Sequence, residues 1–236
     1  VEVDNLKRAG DDWSREGVGT LTVAATHSQA RYALPPAVRD FSVAHPEVAL
    51  RMHQGSPRQI AEMLLRGEAD IGIATEALAS YPELVALPCY QWTHVVIVPQ
   101  GHPLDKATRR KTLTLAQLAE FPLITYEPGY TGRSHIDEAF AQAGYQPNIV
   151  LEAMDADVIK TYVELGMGVG VVAAIAVDDG RDKGLRSIDA RHLFAPNLTR
   201  LAVRRGAYLR RYVYDFIETF ASPLTPAVVN AALNGE

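Results

Sequence analysis

Only one cysteine, Cys89, occurs in the 236 residues, so an internal disulfide is excluded and the composition fits a reducing compartment. No apolar run approaches the roughly 20 residues that span a bilayer, and no signal-peptide core opens the chain. The net charge is −5 and the pI about 5.8, so there is no global basic footprint for nucleic acid. The chain begins at Val1 rather than at methionine, and it reads as a fragment or a processed chain. His27, His45, His53, His94, His102, His135 and His192 are scattered, and none pairs at the HxxxH or HxH spacing of a metal site. No serine sits in a GxSxG elbow. Cys89 with a remote histidine could form a nucleophilic pair, but its apolar surroundings favour a buried, inert thiol. Gly166-Met167-Gly168-Val169-Gly170 has the glycines of a dinucleotide loop in the wrong order, after a helix and before a strand. They read as a helix C-cap and a close-packed strand start. Neither catalysis nor a bound cofactor or metal has a positive argument in these residues.

What is present is ordinary for a folded protein, 47% hydrophobic and 22% charged, in a chain long enough for one large or two small domains. Thr20 to Ala25 is rich in β-branched residues and reads as a strand. Ser28 stands as N-cap of the helix that follows, continued by Leu34, Val38 and Phe41 at core spacing. Pro35-Pro36 must kink or restart that helix. Strand, helix and strand then follow at Val48–His53, Pro57–Arg66 and Ala69–Thr75.

About a hundred residues later the same order recurs. Phe121–Thr125 is a strand, His135–Ala143 a helix, Ile149–Ala153 a strand, Asp155–Leu165 a helix and Gly168–Ala174 a strand. Each half is therefore a parallel sheet with right-handed crossovers and with its loops at the carboxyl edge of the strands. Leu84–Pro88 and His94–Pro99, joined by Cys89-Tyr90-Gln91-Trp92-Thr93, mark a first crossing between lobes. Leu198–Arg204 marks the return, and an amphipathic helix spans Ala207–Phe220. Asp105–Lys111 and Gly180–Gly184 read as solvated loops, and Leu185–Ile188 as a short strand. The expected fold class is α/β, two Rossmann-like lobes joined by two crossover strands with a ligand cleft between them. The expected domains are a tether at 1–18, a first lobe at 19–90 and 196–236, and a second lobe at 91–195.

The loops at the carboxyl edges carry the candidate ligand-binding residues Thr26, Ser28, Gln29, Gln54, Ser56, Thr75, Thr131, Gly132, Arg133 and Thr161. Most are neutral donors near helix starts, which suits a small anion or zwitterion held without a competing carboxylate. Arg133 either adds charge to that site or makes a structural salt bridge. Thr161 either faces the ligand or bonds back to its own helical turn. Asp155 and Asp157 read as caps.

Gly19–Ala24 through Leu34-Pro35, His45–Val48 and Gly67–Ala74 resemble the effector domain of LysR-type transcriptional regulators. Thr26–Tyr32, His53–Pro57, Ala74–Leu78, Tyr130–Ser134 and Asp155–Tyr162 resemble its CysB branch. The resemblance runs from about Gly19 to the C-terminus. It implies a type II periplasmic-binding-protein-like fold, a cytoplasmic location and a role in sensing sulfur status, hence control of sulfur-assimilation and cysteine-biosynthesis genes. It also implies sulfate, thiosulfate, O-acetylserine or N-acetylserine as effector, and carries the anion-binding positions onto Thr26, Ser28, Gln29, Thr75 and Thr131. Ser28 stands where the family pattern has threonine, so the hydroxyl is kept and the pocket gains room. The family's DNA-binding winged helix-turn-helix would precede this chain, so operator DNA is expected only through that part. The resemblance further implies a homodimer of the effector domains and a homotetramer of the full-length protein. An alternative on the same fold is an extracytoplasmic solute-binding protein for a sulfate-like anion; an enzyme is the more distant reading.

Overall fold

Strand pairing follows the repeat in the sequence. The computed structural model describes residues 18–108 and 112–235. By internal contacts it divides into two units, one running to Tyr90 and resuming at Leu198, the other Gln91–Asn197. The expected tether at 1–18 lies outside the described residues except for Val18.

In the first unit β1 (Gly19–Ala25), β2 (Val48–Gln54), β3 (Ile71–Ala74), β4 (Leu84–Trp92) and β10 (Asn197–Arg204) form a sheet in the order β2-β1-β3-β10-β4. β1 runs parallel to β2, with Gly19 opposite Val48 and Ala25 opposite Gln54. It is also parallel to β3, whereas β10 runs antiparallel to β3. In the second unit β5 (His94–Pro99), β6 (Leu123–Tyr126), β7 (Ile149–Ala153), β8 (Val169–Ala173) and β9 (Leu185–Asp189) take the order β7-β6-β8-β5-β9. β6 is parallel to β7 and β8, and β5 antiparallel to β8 and β9. β1 and β6 thus hold equivalent places, second in their sheets, and each sheet presents the loops after its parallel strands along one edge.

The helices are α1 (Leu34–Ala44), α2 (Pro57–Arg66), α3 (Pro103–Thr108), α4 (Leu115–Ala119), α5 (Thr131–Gln142), α6 (Ala156–Glu164), α7 (Arg211–Phe220) and α8 (Pro226–Asn234). One π-helical turn, Gln29–Ala33, precedes α1, and its last bond runs from Leu34 N to Gln29 O. Pro35 and Pro36 have no N–H to continue the ordinary ladder, so the helix widens before them and restarts. α2 shows why its bounds were legible. Ser56 Oγ accepts from Gln59 N, the Gln59 side chain reaches back to Ser56 N, Pro57 takes the first helical position, and Gly67 at φ 71° ends the helix.

The first unit's core gathers Leu21, Val23, Phe41, Ile71, Val213, Phe216 and Ile217; the second's gathers Val96, Leu123, Ile136, Phe140, Val169 and Val171. The predicted roles of the Gly166–Gly170 run appear in the backbone. Gly166 sits at φ 76°, and a Cβ at Gly168 or Gly170 would lie 2.6 Å from Pro122 O or 2.5 Å from Ile97 Cγ1.

Several boundaries differ from the sequence reading. Pro103–Thr108 is a short helix rather than part of a polar loop, because His102 Nδ1 accepts from Leu104 N and stands in for an N-cap. α5 begins at Thr131, four residues before the apolar periodicity starts, without a side-chain cap on Tyr130. α7 begins at Arg211, after a turn at Gly206. α4 and α8 were not anticipated, although Thr114 caps α4 with Gln117 and Thr225 caps α8. Among the described residues no helix is long and apolar enough to cross a membrane, and no group of three or more His, Cys, Asp or Glu could hold a metal ion.

Candidate functional site

In the first unit the carboxyl ends of three neighbouring strands bring Thr26, Gln54-Gly55-Ser56 and Thr75 to one edge. The backbone ties them there, with Thr26 N donating to Ile73 O at 3.1 Å and Gly55 N to Ala25 O at 3.2 Å. Ala30 N donates to Thr26 O at 2.9 Å, so the helix begins on Thr26 and not, as expected, on Ser28. Ser28 is already helical at φ −63° and ψ −38°, makes no side-chain cap bond, and lies in the first turn, whose N–H groups have no partner within the helix. No acidic residue occupies that turn. The edge therefore offers main-chain donors and the buried hydroxyl residues Thr26 and Thr75 in a field that favours an anion.

Gln29, 2% exposed, is held on both ends of its amide. Its Nε2 donates to Thr199 Oγ1 at 3.1 Å, and its Oε1 accepts from Tyr90 Oη. Burial raises the Tyr90 phenol above its ordinary pKa, so it stays a donor. Gln54 is exposed, and Ser56 Oγ serves the α2 capping box. Cys89 is inert: burial pushes its thiol up to about 11.

In the second unit Thr131 and Gly132 open α5. Arg133 follows the structural alternative. Its Nε donates to Asp137 Oδ1 at 2.7 Å, and its Nη1 to Tyr126 O at 2.9 Å and Glu152 Oε1 at 2.5 Å. Burial opposes that charge, but Asp137 and Glu152 outweigh it and hold the guanidinium's pKa above its usual value. Thr161 also takes its bland alternative, its hydroxyl donating to Asp157 O at 2.9 Å on an exposed face of α6. Asp155 Oδ1 caps α6 by accepting from Asp157 N and Val158 N, whereas Asp157 lies in the first helical turn and pairs with Lys160 at 3.1 Å. The arginine charge is thus compensated inside its own unit.

The model of the LysR substrate-binding domain matches residues 14–223. The chain belongs to that family. It is 54% identical over 233 residues to the HTH-type transcriptional regulator SsuR of Burkholderia cenocepacia, covering 99% of this chain and 75% of that protein. To the HTH-type transcriptional regulator CysB of the same organism it is 53% identical over 235 residues, covering 100% and 74%. The crystal structure of the cofactor-binding domain of the Cbl transcriptional regulator superposes with a TM-score of 0.87 at 46% identity, covering 93% of this chain and 95% of that one. This LysR effector-binding domain therefore lies in the CysB-like branch, with the type II periplasmic-binding-protein-like fold.

The LysR domain contains site residues that sequence reading missed. Thr199 and Tyr90 orient Gln29 from 170 and 61 residues away, and no local pattern marks them. His94 is fully buried, neither ring nitrogen has a well-formed hydrogen bond, and the ring packs between Trp92 and Phe194 at centroid distances of 5.2 and 5.5 Å. Its Nε2 lies so near α5 that a Cβ at Gly132 would stand 2.9 Å from it. Gly132 is thus a packing requirement as well as part of a helix start. Gly132→Ala is expected to destabilise the second unit by about 1–3 kcal/mol through overpacking, read as a lower midpoint in urea unfolding; an unchanged midpoint would show that the ring can yield.

Proposed function

We propose that this domain senses sulfur status for a cytoplasmic transcription regulator of sulfur-assimilation and cysteine-biosynthesis genes, by binding a small anion or an acetylserine-type effector. The observation that carries the reading is the carboxyl edge of the first sheet. There Thr26, Thr75 and Gln29 are buried neutral groups around a helix start that has no acid in its first turn. Sulfate and thiosulfate present oxygens to such donors, and O-acetylserine and N-acetylserine present a carboxylate and an ester or amide carbonyl. Ser28, Gln54 and Ser56 lie on the same edge as further contacts, and Thr131 and Gly132 supply the second donor set. Arg133 and Thr161 enter only as supports, since each is already bonded within its unit.

The names CysB and SsuR, both HTH-type transcriptional regulators, support a role in transcription over the delivery of an anion to a transporter. On this reading operator DNA is contacted by a helix-turn-helix outside these residues. The effector domains pair as a homodimer within a full-length homotetramer.

Thr26→Ala and Thr131→Ala are each expected to weaken the effector roughly 10- to 100-fold, the cost of one hydrogen bond to a charged group, with urea unfolding unchanged. Titration calorimetry on both variants checks this. Unchanged affinity in both would remove the anion from these positions.

A further inference from the structure

The repeat that builds the two sheets also matches their carboxyl edges position by position. β1 ends at Ala25 and is followed by Thr26; β6 ends at Tyr126 and is followed by Glu127. Each strand is second in its sheet, with parallel neighbours on both sides. The residue after it is fixed in the same way in both units. Thr26 N donates to Ile73 O at 3.1 Å, and Glu127 N to Ala153 O at 3.1 Å, each on a neighbouring parallel strand. The Thr26 carbonyl accepts from Ala30 N at 2.9 Å, and the Glu127 carbonyl from Tyr130 N at 3.3 Å, so each closes the turn that opens the next helical stretch. Where the first unit sets a buried neutral hydroxyl, the second sets a carboxylate.

That carboxylate is uncompensated. Glu127 is half-buried, and among the described residues its side chain has no ion pair and no hydrogen bond. Arg133, the cation that follows it in sequence, is committed to Asp137 and Glu152. Asp155, just beyond β7, adds a second carboxylate whose Oδ1 serves Asp157 N and Val158 N. Burial first, and then the charges of Glu127 and Asp155, raise the Tyr130 phenol above its ordinary pKa, so both carboxylates stand close to that residue. Gly129, at φ 93°, completes the turn, and α5 begins directly after Tyr130 with Thr131 and Gly132.

The field at this edge separates the chemical classes of effector. Sulfate and thiosulfate are dianions, and N-acetylserine carries a carboxylate with no positive group. Each would bring negative charge toward an unpaired, partly dehydrated carboxylate, where like charges repel far more strongly than in bulk water. An O-acylated amino acid keeps its ammonium, which supplies Glu127 with both a counter-charge and N–H donors. Its own carboxylate still suits neutral main-chain donors at a helix start.

We propose that Glu127 is a specificity-determining residue of the effector site and selects a ligand with a free ammonium group, a zwitterionic O-acylated amino acid, over sulfur oxyanions and N-acylated amino acids. The proposal rests on the effector reading above, in which Thr131 and Gly132 of this same edge meet the ligand.

The test uses a pair of isomers. O-acetyl-L-serine and N-acetyl-L-serine contain the same atoms and differ in whether the nitrogen is an ammonium or an amide. Titration calorimetry below pH 7, where the ammonium stays protonated and the acetyl group stays on oxygen, therefore isolates that charge. The wild-type chain is expected to bind O-acetyl-L-serine at least tenfold more tightly than N-acetyl-L-serine, sulfate or thiosulfate. Glu127→Gln keeps the shape of the side chain, and its urea midpoint checks that it is folded. It should weaken O-acetyl-L-serine roughly tenfold and leave the other three unchanged or tighter, closing the gap. If the wild-type chain binds N-acetyl-L-serine, sulfate or thiosulfate as tightly as O-acetyl-L-serine, or if the preference survives in Glu127→Gln, the proposal is overturned and the effector reading stands. No saturable binding of any of the four overturns both.

Discussion

Gln29→Leu is expected to lose about 2–3 kcal/mol of stability and to weaken effector binding at least tenfold. The substitution keeps volume but removes both ends of the amide that joins Tyr90 Oη to Thr199 Oγ1. Thr199 is fully buried and loses its bond to the Gln29 amide, as does the Tyr90 hydroxyl, although these two hydroxyls also bond each other; the lost pair costs about 1–3 kcal/mol. The binding loss arises separately, because Gln29 closes the helical turn whose N–H groups face the carboxyl edge, and its amide sets how that turn meets β10. Urea unfolding and calorimetric titration read the two effects apart. Gln29→Glu is the sharper control, since it retains Oε1 but puts an anion beside the donors, and anion binding should fall further still. A Gln29→Leu protein with unchanged unfolding midpoint and unchanged affinity would show that the network is incidental.

The second large effect is a dependence on acid. Burial, reinforced by His135, pushes the His94 pKa down to about 3 from a usual 6.5, and the Gly132 backbone offsets this only in part. The imidazole is neutral in the folded chain, whereas in the unfolded chain it takes up a proton below about pH 6.5. The unfolded state therefore binds more protons between pH 6.5 and 3. The stability contribution of His94 is fully present above pH 6.5 and declines as pH falls through that window. At about 1.36 kcal/mol per pH unit of difference, the wild-type chain should lose about 3 kcal/mol between pH 7 and pH 4 beyond what His94→Phe loses. His94→Phe keeps an aromatic ring between Trp92 and Phe194 and cannot titrate, so the carboxylates common to both proteins cancel in the comparison. Urea unfolding of both proteins at several pH values measures the gap, and parallel curves would contradict the assignment.

The sheet architecture was legible because the chain states it twice. β-Branched runs mark β1, β6 and β7, and Ser56-Pro57 with Gly67 punctuates α2 at both ends. Elements that lack such punctuation were misplaced. α5 starts on Tyr130 without a side-chain cap, behind a Pro128-Gly129 turn that reads as loop, and its apolar stripe shows only from His135 onward. Ser28 looked like a cap because serine favours that position, yet the first helical bond falls on Thr26 O, and the tandem prolines turn the next stretch into a π-helical turn. The neutral-donor character of the carboxyl edge could be read from residue types alone. The Tyr90–Gln29–Thr199 chain could not, since its members are brought together only by the order β3-β10-β4. Arg133 and Thr161 each had two physically reasonable roles, and only the positions of Glu152, Asp137 and Asp157 O choose between them.

The most direct test of the account is calorimetric titration of the wild-type domain with sulfate, thiosulfate, O-acetylserine and N-acetylserine, with phosphate and chloride as controls. The account predicts saturable one-site binding of at least one of the four sulfur-pathway compounds, with the controls weaker and the heat lost in Thr26→Ala. No saturable binding by any of the four, or binding that Thr26→Ala leaves untouched, would contradict it.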